Sequence, residues 1–209
     1  MGRIEKQKRL LIEESNRRVL NEDDGYSEYG TSIIGIANQF SGGGYKWKGG
    51  SGVCIALKHD DKIIRSCGDD TSHCCGFTLS VAFIAATNRG LLNGKDLTEV
   101  KKFSSDWYKA GGAGSGKLCV AALENLGIGE EVSLEDAQEG DFCQIWRTNG
   151  SGHSVIFLSH IYEGDDIIGF NYRSSQPSTE GIGDSSEHFS DSGKGKMKKD
   201  VTYFGRMNS

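Results

Sequence analysis

The chain has 209 residues and a formal net charge of −5, from 24 Lys and Arg against 29 Asp and Glu, which argues against a nucleic-acid protein because a phosphate-binding surface needs a basic excess. Its length suits one decorated domain whose core needs no staple. Thirty glycines against one proline describe a turn-rich fold, unlike collagen or a proline-rich linker.

No run approaches the roughly 20 apolar residues of a membrane helix, so no membrane span is expected. The opening stretch "MGRIEKQKRLLIEESNRRVLNEDD" has only Leu10, Leu11 and Ile12 as an apolar cluster, too short for the apolar core of a signal peptide. It reads as a charged surface helix with Ile4, Leu11 and Val19 able to touch a core. Residues 1–28 are therefore expected to be an appendage without chemistry, and residues 29–209 a single domain. A short helix is expected over residues 32–40, broken by glycines before the aromatic turn "GYKWKGG". "GVCIALKHDDKIIRSC" reads as a hairpin turning near His59, Asp60 and Asp61. Residues 74–89 read as a buried helix, with Phe77, Val81 and Ile84 at helical spacing and Gly90 as its C-terminal cap. Further helices are expected over residues 96–109 and 117–126, the latter capped by Gly127. Strand-like runs follow at residues 142–147, 154–162 and 167–173. "SSEHFSDSGKGKMKKD" reads as polar loop, and a last strand as residues 201–205. Helices first and an antiparallel sheet later make an α+β fold.

Six cysteines are present, at positions 54, 67, 74, 75, 119 and 143, and none shows C-x-x-C spacing. Cys67, His73, Cys74 and Cys75 lack the two separated ligand pairs of a zinc site, so no metal is expected. Cys119 and Cys143 sit in apolar runs and read as inert buried thiols. "GGAGSGKL", residues 111–118, imitates a phosphate-binding loop but has leucine where magnesium needs Ser or Thr, and no strand precedes it. It reads as a connection between helices.

The chemistry gathers at "HCCGF", where two thiols stand at the start of a helix. A cysteine in a first helical turn feels unpaired N–H groups and the positive end of the helix dipole, which favour the thiolate. The same N–H groups can hold the oxyanion formed when a thiolate attacks a carbonyl. Such a nucleophile needs a base. His153, in "GSGHSVIF", begins an apolar strand and can face a cleft. His160 differs from it by an odd number of positions and is expected on the other face. Asp69 and Asp70 read mainly as a solvated loop, with contact to a substrate ammonium as the alternative.

In order, "GYKWKGG", "HCCGF", "EGDF" and "GHSVIFL" resemble the NlpC family of papain-like cysteine peptidases, whose patterns are Tyr-x-Trp-Gly-Gly, Asp-Cys-Ser-Gly-Phe, Gly-Asp and a strand-leading His. The resemblance spans about residues 32–176. It implies a papain-like domain that cleaves peptidoglycan stem peptides, most often between γ-D-glutamyl and a diamino acid, with no cofactor and a secreted, periplasmic or wall-associated place of action. By register with Gly76 and Phe77 the nucleophile falls on Cys74. Cys75 then replaces the usual serine, and His73 the usual aspartate. Tyr45 falls on the family tyrosine that helps hold the scissile carbonyl, while Trp47 reads as packing of the turn.

The third catalytic residue follows from counting. With a hairpin turn centred between Gly164 and Asp165, Tyr162 faces Ile167, Phe157 faces Tyr172 and His153 faces Gln176, whose carbonyl can accept from the imidazole. Asn171 has the wrong parity. A bulge would bring Ser175 or Pro177 opposite His153. Two other classes of function stay open at this level: a domain that binds cell wall or protein without turnover, and a papain-like acyltransferase, deamidase or toxin.

Overall fold

The computed structural model describes residues 26–47, 50–68, 71–108 and 115–209. The stretch with Ile4, Leu11 and Val19, the pair Asp69 and Asp70, and residues 111–114 of the glycine-rich connection lie outside the described residues. Tyr26, which a boundary at residue 28 leaves in the appendage, is buried in the core; its hydroxyl donates to Ala56 O and accepts from the Lys58 N–H, each at 2.9 Å.

Helix α1, Ile33–Ala37, begins where Ser32 Oγ accepts from the Gly35 N–H at 3.2 Å, and is shorter than expected. After strand β1, Gly42–Gly43, the hairpin of β2, Leu57–His59, and β3, Lys62–Arg65, turns at Asp60 and Asp61. Both have positive φ, 47° and 59°, as a type I′ turn demands.

At the centre lies α2, Cys74–Asn88, buried at every residue from Cys74 to Ala86. A helix apolar on all sides is stable only when the rest of the chain surrounds it. It ends at Gly90, φ +70°, with the Leu91 N–H reaching back to Ala86 O at 2.8 Å. Helix α3, Leu97–Tyr108, opens on a reciprocal cap: the Asp96 carboxylate accepts from the Thr98 and Glu99 N–H groups, and the Glu99 carboxylate accepts from the Asp96 N–H. Helix α4, Cys119–Leu126, ends at left-handed Gly127.

Strands β4 (Gly129–Val132), β5 (Phe142–Trp146), β6 (Gly152–Glu163), β7 (Asp166–Gln176), β8 (Gly181–His188) and β9 (Tyr203–Met207) join β1 in one antiparallel sheet. Among the described residues its order is β1-β8-β7-β6-β5-β9-β4. Phe142 and Ile156 pack with the helices, whereas Cys143, Ile145, Val155 and Phe157 join Phe170, Phe189, Met197 and Phe204 in a second core. The sheet is therefore covered on both faces, and β5 is buried throughout.

Strand β8 corrects the loop expected from residue 185 onward. "GIGDSSEH" lacks the apolar alternation by which a strand is read. It pairs with β7 from Gly169↔His188 to Gln176↔Gly181, satisfying backbone groups that would otherwise form a bare edge.

The β6–β7 hairpin turns at Gly164 and Asp165, with Tyr162 opposite Ile167 and Phe157 opposite Tyr172. Between these pairs the register slips by one and returns, because Leu158 is extra on β6 and Ile168 is extra on β7. The first bulge reverses strand parity. His160 thus pairs with Phe170 and packs its ring 4.8 Å from that of Phe157, on the face that carries His153 and not on the opposite one. What separates the two histidines is distance along the strand, and His160 Nε2 is spent on Leu134 O at 2.7 Å.

Candidate active site

The first turn of α2 is built by its neighbours. His73, extended at φ −140°, ψ 168°, caps the helix, with its Nδ1 accepting from the Gly76 N–H at 3.2 Å. An imidazole can accept at Nδ1 only while that nitrogen is unprotonated, and burial pushes the His73 pKa below its usual 6.5. The ring lies against Gly52 and between Trp47 and Tyr108, with centroids 5.2 and 5.6 Å away. Segment 50–52 rests directly on the helix. A Cβ on Gly76 would stand 2.0 Å from Gly52 O, and one on Gly52 would stand 2.2 Å from the His73 ring.

Cys74 heads this turn, only 3 % exposed, with its sulfur 3.8 Å from that of Cys75. The Cys75 thiol donates to Cys74, and this hydrogen bond, reinforced by His153 and the Ser154 backbone, holds Cys74 well below the usual thiol range of about 9 despite burial. The same bond and burial push Cys75 well above it. Cys119 and Cys143 are buried, and burial pushes Cys119 up to about 12 and Cys143 well above the ordinary range.

His153 enters as the second residue of β6. Its Nε2 donates to Gln176 Oε1 at 2.9 Å, a bond buried from solvent. Since a carboxamide oxygen only accepts, Nε2 carries the proton and Nδ1 is left for the thiol. The two bulges that cancel bring Gln176 to His153; Asn171 instead donates to Ser159 Oγ at 2.9 Å on the exposed side. Cys74, His153 and Gln176 therefore form a row of thiol, imidazole and carboxamide.

Tyr45 is fixed beside this line by a ladder in which Ser72 N–H donates to Gly44 O at 3.1 Å and Lys46 N–H to Ser72 O at 3.0 Å. Burial, then the charge of Cys74 and Cys75, raises its phenol above 10. Trp47 packs edge-on against the His73 ring, centroids 5.2 Å apart, while the residue stays 53 % exposed.

Three further residues tie helix to sheet beneath the thiol. Thr78 Oγ1 lies 2.8 Å from Ser154 Oγ, accepts from Trp107 Nε1–H at 3.0 Å and caps the Cys74 carbonyl at 3.0 Å. The sequence hints at them only through position: Thr78 is one turn after Cys74, and Ser154 follows His153. Among the described residues no three His, Cys, Asp or Glu side chains gather as a metal site, and no helix is long and apolar enough to cross a membrane.

No family model matches the chain, and no curated protein matches it. Among solved structures, the crystal structure of the P60 domain of antigen MAP1204 from M. avium subspecies paratuberculosis is 16% identical, over 94% of this chain and 98% of that one, with a TM-score of 0.40.

Proposed function

We propose that the protein is a cysteine amidase that hydrolyses peptide bonds of peptidoglycan stem peptides outside the cytoplasm. The observation that carries the reading is a thiol favoured as thiolate at a helix start, beside an imidazole whose far nitrogen is held by Gln176 at 2.9 Å. Cys74 Sγ attacks the scissile carbonyl carbon while His153 holds the thiol proton at Nδ1. The Cys74 N–H, which has no partner within the helix, and the Tyr45 hydroxyl receive the oxyanion. As the tetrahedral carbon collapses, the C–N bond breaks and His153 passes its proton to the leaving amine. Water, deprotonated by His153, then cleaves the thioester and restores the thiol. The cycle calls for no metal or cofactor. Stem peptides are the substrate class implied by the ordered motifs around Tyr45, Cys74 and His153.

Incubation with purified peptidoglycan and mass analysis of the soluble fragments tests this. Fragments cut between γ-D-glutamate and the diamino acid are expected from the wild type, none from Cys74→Ala, and several orders of magnitude fewer from His153→Ala. Intact peptidoglycan after prolonged incubation, or fragments that persist in Cys74→Ala, would overturn the reading.

A further inference from the structure

The leaving amine takes its proton from His153, so the amine half of a substrate lies on the His153 side of the thiol. The Tyr172 ring stands there, 5.6 Å from that of His153. Tyr172 pairs with Ser185 of β8, next to Ser186 and Glu187, and Arg147 clamps Glu187 through two bonds of 2.6 and 2.7 Å. This ion pair floors a groove of about 510 Å³, walled by the β5–β6 turn on one side and by residues 194–196 on the other. The second wall is pinned: the Thr148 N–H donates to Lys196 O at 2.9 Å and the Lys198 N–H to Trp146 O at 2.8 Å.

Charge identifies the ligand. Arg147 is neutralised by Glu187, and Lys194 is paired with Glu163 at 2.5 Å. Lys196, exposed on the groove wall, has no ion pair among the described residues. A chain of net charge −5 thus presents an unpaired ammonium in a groove whose Arg147 and Ser151 lie two strand positions beyond the Ile145↔His153 pair. We propose that this groove is a leaving-group subsite in which Lys196 binds a carboxylate, so that the enzyme prefers amides whose departing amine is an amino acid with a free carboxylate. The proposal rests on the amidase reading above.

Two synthetic substrates with the same γ-glutamyl acyl half separate the possibilities, one releasing a diamino acid with free carboxylates and the other the corresponding diamide. The wild type is expected to favour the acid by about two- to fivefold in kcat/KM, the scale of one exposed, screened ion pair. The preference should shrink at high salt, vanish in Lys196→Glu and survive in the distant control Lys102→Gln. Equal kcat/KM for acid and diamide, or a preference that survives in Lys196→Glu, would overturn the subsite and leave hydrolysis standing. Failure to cleave either substrate would instead overturn the amidase reading. Calorimetric titration of the diamino acid and its diamide into Cys74→Ala then decides the groove by itself: tighter binding of the acid, lost when Lys196→Glu is added, upholds it, and equal or absent binding removes it.

Discussion

Cys74 and Cys75 have sulfurs 3.8 Å apart, yet only Cys74 has His153 beside it. In this arrangement Cys75 is the donor that holds its neighbour as thiolate. Cys75→Ser keeps a hydroxyl donor and should retain most activity, whereas Cys75→Ala should slow alkylation of Cys74 at pH 6 by roughly tenfold, the worth of one hydrogen bond to a charged atom. Equal rates in the two variants would contradict the donor role. Gln176→Ala should lower kcat by about 10- to 100-fold on the same scale, while Asn171→Ala, spent on Ser159, should change it little. His73 makes the cap depend on pH. Its folded pKa lies below the 6.5 of a free imidazole, so between the two values the unfolded chain binds a proton that the folded chain refuses. Stability from this group is complete above 6.5 and is lost as pH falls through the depressed value. Wild-type Tm should therefore drop between pH 7 and 5 by about 2–4 °C more than that of His73→Asp, whose carboxylate still caps. Equal drops would remove His73 from this role. The capping role was not legible in the sequence: histidine is a rare cap, and it serves here because burial under segment 50–52 disfavours the charged ring.

At the scale of elements, α2 was readable because its apolar run and Gly90 leave few alternatives, and His153 because it heads an apolar strand. Gln176 was reached by counting back from the turn at Gly164, and the count holds at both ends of the hairpin because the bulges at Leu158 and Ile168 cancel. His160, between the bulges, is where the same count fails. Bulges leave no mark in "FLSHIYEGDDIIG", since an extra residue changes pairing without changing composition. Strand β8 was hidden for another reason: its stability comes from β7's need for partners and not from its own side chains. The contact of α2 with segment 50–52 is the tightest joint in the site. Gly76→Ala would push a methyl against Gly52 O, 2.0 Å from an ideal Cβ, and should cost about 1–3 kcal/mol of stability as an overpacked core does. It should also slow Cys74 alkylation, because the joint positions the helix start; a variant with wild-type Tm and labelling rate would contradict this.

Across the whole molecule, thiol and imidazole come from opposite layers. Cys74 belongs to the buried helix and His153 to the sheet, and they meet because Thr78, Ser154 and Trp107 bridge the layers beneath them. The two-sided burial of the sheet keeps that joint rigid, with Phe142 and Ile156 against the helices and Val155 and Phe157 in the second core. The central claim is that at this meeting Cys75 and, beside it, His153 hold Cys74 as a thiolate. It is tested most directly by the rate at which iodoacetamide alkylates Cys74 from pH 5 to pH 9, read by peptide mapping in the wild type and in His153→Ala. Cys74 is predicted to react at pH 6 nearly as fast as at pH 8 while the buried Cys119 and Cys143 lag, with the rise displaced to higher pH in His153→Ala. A wild-type profile rising only around the ordinary thiol value of about 9, or one unchanged by the loss of His153, would contradict the account.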